Sequence, residues 1–598
     1  MGYEMTPGCD QVPRSGTGLK AHNRKPWLSG ETSRVDQEPV LRVPLVLREI
    51  RQPMRVSSRK RVLFSSVFGP YAQDDEYGSR AVNPMELWHN QVTRVQGPWS
   101  LRMFHRSYGL MMIRENIDAA CALLDFPSLE RFEQELAGQR YDIVGITAIA
   151  PNIGKVAKMC ELVRRYQPSA EIVVGGHVAG ISDLDKRVDA DHVVRGEGIR
   201  WFREHLGQDP GAPIKHPATY SSFGTRTMGL SLPSWFGNTS AAVFPSVGCP
   251  MGCNFCSTSH MFGGKGKFVN FFDADELFEV FSELESKLHV SQFMLMDENF
   301  LLHAKRAKRL LELMEKHGKS WSFMCFASAR ILSKVYTIEE LVRFGLQWVW
   351  IGFEGEESQY KKVNGIDTKA LVRRLQAEGI MVLGSTILGL EEHSPDNIRD
   401  AIRHAVDHDT DLHQFMLYTP NPGTPLWDEH KQNGTLLSEE ECSQADAHGQ
   451  LKFKHRHPNF SNGEETALII EAFNEDFRTN GPSLVRMGRT LAKGWAKYKN
   501  HADDRIRRRY KAQTDTVWAF YGAVAWAARR YFRHDPAFVN EASEILRFIY
   551  AAFGPKARLA APTLGLVLYH TLLKEQKRLS NGWTYEPKTI YEPAPAGS

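Results

Sequence analysis

Cys249, Cys253 and Cys256 are the residues of this chain best placed to do chemistry. They fall in GCPMGCNFCSTS, a C-x3-C-x2-C spacing on a glycine-containing loop. Three thiolates on such a loop can hold three irons of a 4Fe–4S cluster and leave the fourth iron open to another ligand. A structural zinc site built from the same cysteines and His260, at C-x3-H after Cys256, is the competing reading of the spacing alone. The other five cysteines are scattered over 598 residues, too sparse for a disulfide scaffold.

The surrounding sequence must position that loop. Six apolar strand runs, 241–247, 291–297, 321–327, 348–354, 382–390 and 413–420, alternate with helical stretches. Asp273 with Glu276 predicts a capping box ahead of Leu277, Phe281, Leu284 and Leu288. Ala307, Leu310, Leu311 and Met314 form the next helical face, with Gly318 as a stop. Ser394 followed by Pro395 predicts a third helix start. Six such units predict a partial parallel (β/α)6 barrel over 241–445, with the cysteine loop at the C-terminal end of its first strand, where barrel chemistry sits. A structural zinc loop needs no such scaffold.

Upstream, 61–66, 141–148, 171–176 and 192–198 read as buried strands of a second, Rossmann-like α/β domain over 59–205. A helix from about 153 to 165 carries Val156, Met159, Cys160 and Val163 on one face. Residues 67–140 read as an insertion with a helical stretch at 117–124. Residues 1–58 read as a disordered arm whose apolar group 40–50 could dock on a neighbour. Residues 206–240 read as a linker and 446–598 as a helical domain. In that last part, 516–532 is apolar nearly all round, and 486–511 holds ten Lys or Arg against two Asp. A helix buried in its own domain is the first reading, an interfacial membrane helix the second.

Composition narrows the classes. The net charge of +4 argues against a protein that coats nucleic acid. The longest apolar run, 517–528, has 12 residues, against the roughly 20 a membrane helix needs. No basic start followed by an apolar stretch is present, so the expected location is the cytoplasm or the inner face of a membrane.

With Phe255 supplying the aromatic, the motif C-x3-C-x-aromatic-C and the barrel behind it resemble the radical S-adenosylmethionine (SAM) superfamily. The resemblance spans about 241–440. It implies that SAM chelates the open iron through its methionine amino and carboxylate groups and is cleaved to a 5′-deoxyadenosyl radical. It also implies SAM contacts at the strand ends. Asp297 and Asn299 follow the second strand, Ser328 and Arg330 the third, and Glu354 ends the fourth. An arginine there can pair bidentately with a carboxylate. The α/β domain ahead of the barrel resembles the cobalamin-binding domain found before some radical SAM barrels. Thr147, Asn152, Gly175, Gly176 and His177 are its candidate contacts, with the glycines admitting the nucleotide tail. The chain lacks the D-x-H-x-x-G motif, so the resemblance implies cobalamin held without a histidine below the cobalt, unless His177 serves.

The expected function is therefore a cobalamin-dependent radical SAM methyltransferase acting on an unactivated carbon of a small molecule or lipid. Methylcobalamin would deliver the methyl group, a second SAM would restore it, and a flavodoxin- or ferredoxin-type protein would supply electrons. Ring formation, ring contraction or oxidation with the same cofactors is the alternative. A zinc-stabilised cobalamin-binding sensor or scaffold is the alternative of another class.

Overall fold

A computed structural model describes residues 59–595, apart from 72, 79, 81–86, 234–239, 264–266, 355–362, 364 and 515–516. The expected arm over 1–58 lies outside the described residues.

The N-terminal domain is a six-stranded sheet. In spatial order its strands are Ile590–Glu592, Ala120–Asp125, Arg61–Ser66, Ile143–Thr147, Glu171–Gly175 and His192–Val193. All neighbours run parallel except Ile590–Glu592, which is antiparallel to Ala120–Asp125. Two sequence expectations are corrected here. Residues 117–124, expected as helix, run into the strand Ala120–Asp125, every residue of which is buried. A short apolar run covered on both faces carries no periodicity that separates strand from helix. The C-terminal part, expected to be helical throughout, returns a strand to this sheet. Its Glu592 pairs with Arg106 and Arg114, and Arg106 also holds Asp125 at 2.9 Å.

The barrel follows the expected order. Ser240–Val243, Gln292–Leu295, Ser322–Phe326, Leu346–Gly352, Met381–Leu388 and Leu412–Leu417 lie side by side in chain order, all parallel. The first run breaks at Pro245, and Ser246–Val247 pairs separately with Val269–Asn270. The Ala274–Leu288 helix starts on the predicted capping box, with both Asp273–Glu276 hydrogen bonds formed. The helix expected from Ser394 begins instead at Ile398. Asn397 Oδ1 accepts the Ser394 N–H at 2.8 Å, so 394–397 closes as a turn first.

Strand alternation sets the barrel's two faces. Phe293, Leu295, Phe323, Cys325, Val349 and Ile351 enter the core beneath the helices. The intervening side chains Met296, Met324, Phe326, Trp350, Ser385 and Met416 face the barrel interior and are only half-buried. Phe326 stacks on Trp350 at 5.0 Å.

The stretch 206–240 carries a hairpin, Gly224–Thr227 with Leu230–Pro233, that pairs with Arg102–Met103. Its buried Arg226 is held by Glu575, with hydrogen bonds of 2.5 and 2.8 Å. The basic stretch 486–511 is divided, with Lys493, Lys497, Lys499, Arg508 and Lys511 exposed and several arginines turned inward. Arg486 is fully buried against Asp476, Arg489 pairs with Asp409 and Glu541, and Arg505 pairs with Glu315. These arginines fasten the C-terminal helices to the barrel. The apolar segment 517–531 turns Val517, Ala523, Val524, Ala527 and Ala528 inward, leaves Trp518, Phe520 and Trp526 half-buried and exposes Arg529 and Arg530.

Candidate functional site: a cysteine loop facing a glycine-lined cavity

The cysteine loop leaves the first barrel strand and is tied to the last. Asn254 Nδ2 donates to the Tyr418 hydroxyl at 3.0 Å, and the Leu426 N–H donates to the Asn254 carbonyl at 3.2 Å. Phe255, the motif's aromatic, packs among Ile387, Leu390, Tyr418 and Leu426. It anchors the loop from below while the flanking cysteines stay near the surface. Cys249 is buried and Cys253 and Cys256 are half-buried. Burial, the Glu298 carboxylate and the neighbouring thiols of Cys256 and Cys253 push the Cys249 thiol up to about 11. Three thiols gathered on one loop are a donor set that suits a cationic centre, which would hold all three as thiolates. His260, the fourth ligand a zinc site would recruit, donates Nε2 to the Cys253 carbonyl at 3.1 Å.

The strand ends bring three of the expected SAM residues into one network. Asp297 Oδ1 accepts the Asn299 N–H at 3.0 Å, and Asn299 Oδ1 accepts the Ser328 N–H at 3.3 Å. Asp297 Oδ2 accepts from the Ser246 hydroxyl and from Arg306, both at 2.5 Å. Arg306 was not among the sequence candidates. It neutralises Asp297, so that this carboxylate braces the strand ends and no longer presents a free charge. Ser328 Oγ is buried without a hydrogen-bond partner among the described residues, as expected of a group reserved for a ligand. Arg330 stands exposed on the short helix that follows. Glu354 is buried just beyond the fourth strand at φ 60°, a strained conformation for a non-glycine residue.

Across from the loop lies a cavity of about 220 Å³ at the C-terminal edge of the N-terminal sheet. Thr147, Gly175 and Gly176 line it from the sheet, Ile199 and Phe202 from the Gly198–His205 helix, and Met261 and Phe262 from the barrel. Those last two residues lie five and six positions after Cys256, so the segment that leaves the cysteine loop forms a wall of the cavity. Gly176 has φ +87°, and a Cβ there would stand 2.6 Å from the Ala148 carbonyl oxygen. Only glycine fits. Asn152 is buried at the start of the Ile153–Tyr166 helix and does not line the cavity. His177 is exposed and opens the His177–Gly180 turn. That turn packs on the barrel so closely that a Cβ at Gly180 would lie 2.9 Å from the Pro422 carbonyl oxygen.

The fold and site together define a class: a B12-binding domain followed by a radical SAM domain, in a radical SAM enzyme. Family models match accordingly, the B12 binding domain over residues 101–205 and the radical SAM superfamily over 243–405. Cobalamin, SAM and a 4Fe–4S cluster are thus its cofactors. Among curated relatives, an uncharacterized methyltransferase of Pyrococcus horikoshii is 25% identical over 367 residues, 56% of this chain and 78% of that protein. The bacteriochlorophyllide d C-12(1)-methyltransferase of Chlorobaculum tepidum is 26% identical, over 52% of this chain and 69% of that one. The anaerobic magnesium-protoporphyrin IX monomethyl ester cyclase of Cereibacter sphaeroides is 24% identical, over 52% and 56%.

Proposed function

We propose that this enzyme transfers a methyl group to an unactivated carbon of a largely apolar small molecule or lipid bound inside the barrel. The observation that carries the reading is the shared wall. Residues five and six positions after Cys256 line the same cavity as Gly175 and Gly176, which supports a cobalamin site close to a cluster site. When bound, the cluster with SAM supplies a radical at a substrate carbon, and methylated cobalamin supplies the methyl group.

In this reading Cys249, Cys253 and Cys256 hold the cluster. Arg330 pairs with the SAM carboxylate, and the buried Ser328 hydroxyl and Glu354 carboxylate take polar groups of SAM. Asp297 and Asn299 act through the backbone they brace. Thr147, Gly175 and Gly176 receive the cobalamin tail, with Asn152 and His177 on the neighbouring turns as further candidate contacts. Met296, Met324, Phe326, Trp350 and Met416 offer an apolar, polarisable lining that excludes water from a reactive carbon. A flavodoxin- or ferredoxin-type reductant delivers the electron.

The similarity to the cyclase favours a second reading, ring formation with the same cofactors. Product mass separates the two. Profiles of cells with and without the protein should differ by metabolites or lipids heavier by one methylene. A product that has lost hydrogen or gained oxygen without a methylene would instead establish the cyclase-like reading.

The reading extends to peripheral contact with a membrane through the C-terminal helices. The support sits on the helix Pro555–Ser580, not on 516–532. Leu559, Leu564, Leu566 and Val567 are exposed there, and Leu559 reaches 74%. Lys556, Lys574 and Lys577 stand exposed on the same helix. Among the described residues no helix is long and apolar enough to cross a membrane. The protein is expected to co-sediment with vesicles containing anionic lipid, and Leu559→Glu with Leu566→Glu should reduce the bound fraction by about tenfold.

A further inference from the structure

The N-terminal sheet has a second cluster at its other end, away from the glycine-lined cavity. Glu171 opens the strand Glu171–Gly175, His192 opens His192–Val193, and His205 closes the helix Gly198–His205. Their side chains converge. His205 Nε2 lies 2.7 Å and His192 Nε2 3.5 Å from the same oxygen, Glu171 Oε2. One ligand atom from each of the three residues lies within 4.8 Å of the others. Trp201 stacks on the His205 ring at 4.8 Å and 12° and sits 5.4 Å from the His192 ring. One indole thus orients both imidazoles.

The Glu171 carboxylate faces two imidazoles through one oxygen, and the two rings stand 4.9 Å apart. Two protonated rings at that distance would repel each other, whereas two neutral rings and the carboxylate would together hold a cation placed between their three ligand atoms. Two neutral imidazoles and one carboxylate are a zinc donor set, whose ligand atoms stand about 3.3 Å apart on bonds of about 2.0–2.1 Å. Imidazole-rich sites favour zinc, copper and nickel over magnesium and calcium. The carboxylates of Asp189 and Asp191, both paired with Arg164, lie beside His192 in the chain and deepen the negative field.

We infer that Glu171, His192 and His205 form a divalent transition-metal site of the zinc class, separate from the cysteine loop. Its metal staples the two-residue edge strand and the last turn of the Gly198–His205 helix to the strand Glu171–Gly175. The first turn of that same helix walls the cavity through Ile199. The staple therefore stiffens the cavity wall from its far end.

The test uses the full chain with its iron–sulfur cluster loaded, treated with a chelator and titrated with Zn2+ by calorimetry. Wild type is expected to bind one zinc equivalent more than His192→Ala or His205→Ala, with affinity at that site falling at least about 100-fold in either variant. The zinc X-ray absorption edge should fit nitrogen and oxygen at about 2.0–2.1 Å with imidazole scattering, without the sulfur shell at about 2.3 Å that cysteine ligation would give. Saturating zinc should raise the apparent Tm of wild type by roughly 2–4 °C and leave the variants unmoved. Glu171→Gln preserves a hydrogen bond to His205 and removes the charge, so it should lose zinc while keeping its zinc-free Tm. Equal zinc content in wild type and variants, a sulfur shell, or a Glu171→Gln protein that binds zinc like wild type would overturn the assignment.

Discussion

Cys256→Ala is expected to abolish reductive cleavage of SAM, by at least about a thousandfold, in a chain that stays folded. The two halves of that expectation rest on different links. Folding should survive because Cys256 is half-buried and belongs to none of the hydrophobic clusters. The loop's own ties persist too: the Cys256 N–H still donates to the Cys253 carbonyl at 3.1 Å, and Phe255 keeps its packing. A change at such a position usually moves stability by no more than about 0.5 kcal/mol. Activity should fail because two thiolates cannot hold three irons, and without the cluster no electron reaches SAM. Cys325→Ala is the control. That thiol is fully buried in the barrel core, so its loss should lower stability and spare cleavage. The readout is 5′-deoxyadenosine formed per chain under reducing, anaerobic conditions, with iron content measured alongside. Unimpaired cleavage by Cys256→Ala would sink the ligand assignment.

What the sequence revealed followed the strength of its repetition. The barrel was legible because each strand was followed by a helix with its own amphipathic face and boundary signals, so errors in one unit could not shift the rest. The capping box at Asp273 is purely local and formed as written. The cysteine loop was legible from its spacing together with its place after the first strand of that barrel. The strand Ala120–Asp125 was not, because its residues are buried on both sides and leave no alternation. Ile590–Glu592 was not, because three residues carry no period and their partner is more than 450 positions away. Charge proved the least readable feature. The sequence shows ten basic residues over 486–511 without saying which face solvent, and Arg486, Arg505 and Arg509 point inward to acceptors on other elements. The clamp of Arg306 on Asp297 was hidden for the same reason. An ion pair is a fact of three-dimensional proximity, and residue identity fixes only its sign.

Gly175→Leu is expected to weaken cobalamin binding at least about 100-fold while leaving SAM cleavage intact, and this separation tests how the cavity is used. The position was chosen over Gly176 for a physical reason. At Gly176 a Cβ meets the Ala148 carbonyl oxygen at 2.6 Å and the backbone is left-handed, so even alanine distorts the sheet edge. At Gly175 the nearest atom to a Cβ is the Val194 carbonyl oxygen at 3.9 Å, an ordinary contact, and the residue lines the cavity. A leucine side chain can therefore grow into about 220 Å³ of mostly apolar space without moving the backbone. Filling that space buries apolar surface, so stability should hold or rise. A cavity of this size suits the base at the end of a cobalamin tail and not the macrocycle, and a side chain already inside it competes with the base for the same volume. The variant should lack the visible corrin absorbance, retain its cluster, form 5′-deoxyadenosine, and yield no methylated product. Full cobalamin loading in Gly175→Leu would show that the tail lies elsewhere. Loss of SAM cleavage together with the corrin would mean that the shared wall at Met261 and Phe262 had carried the disturbance to the cysteine loop, and a smaller Gly175→Ala change, which adds one methyl group to the same space, should then restore both.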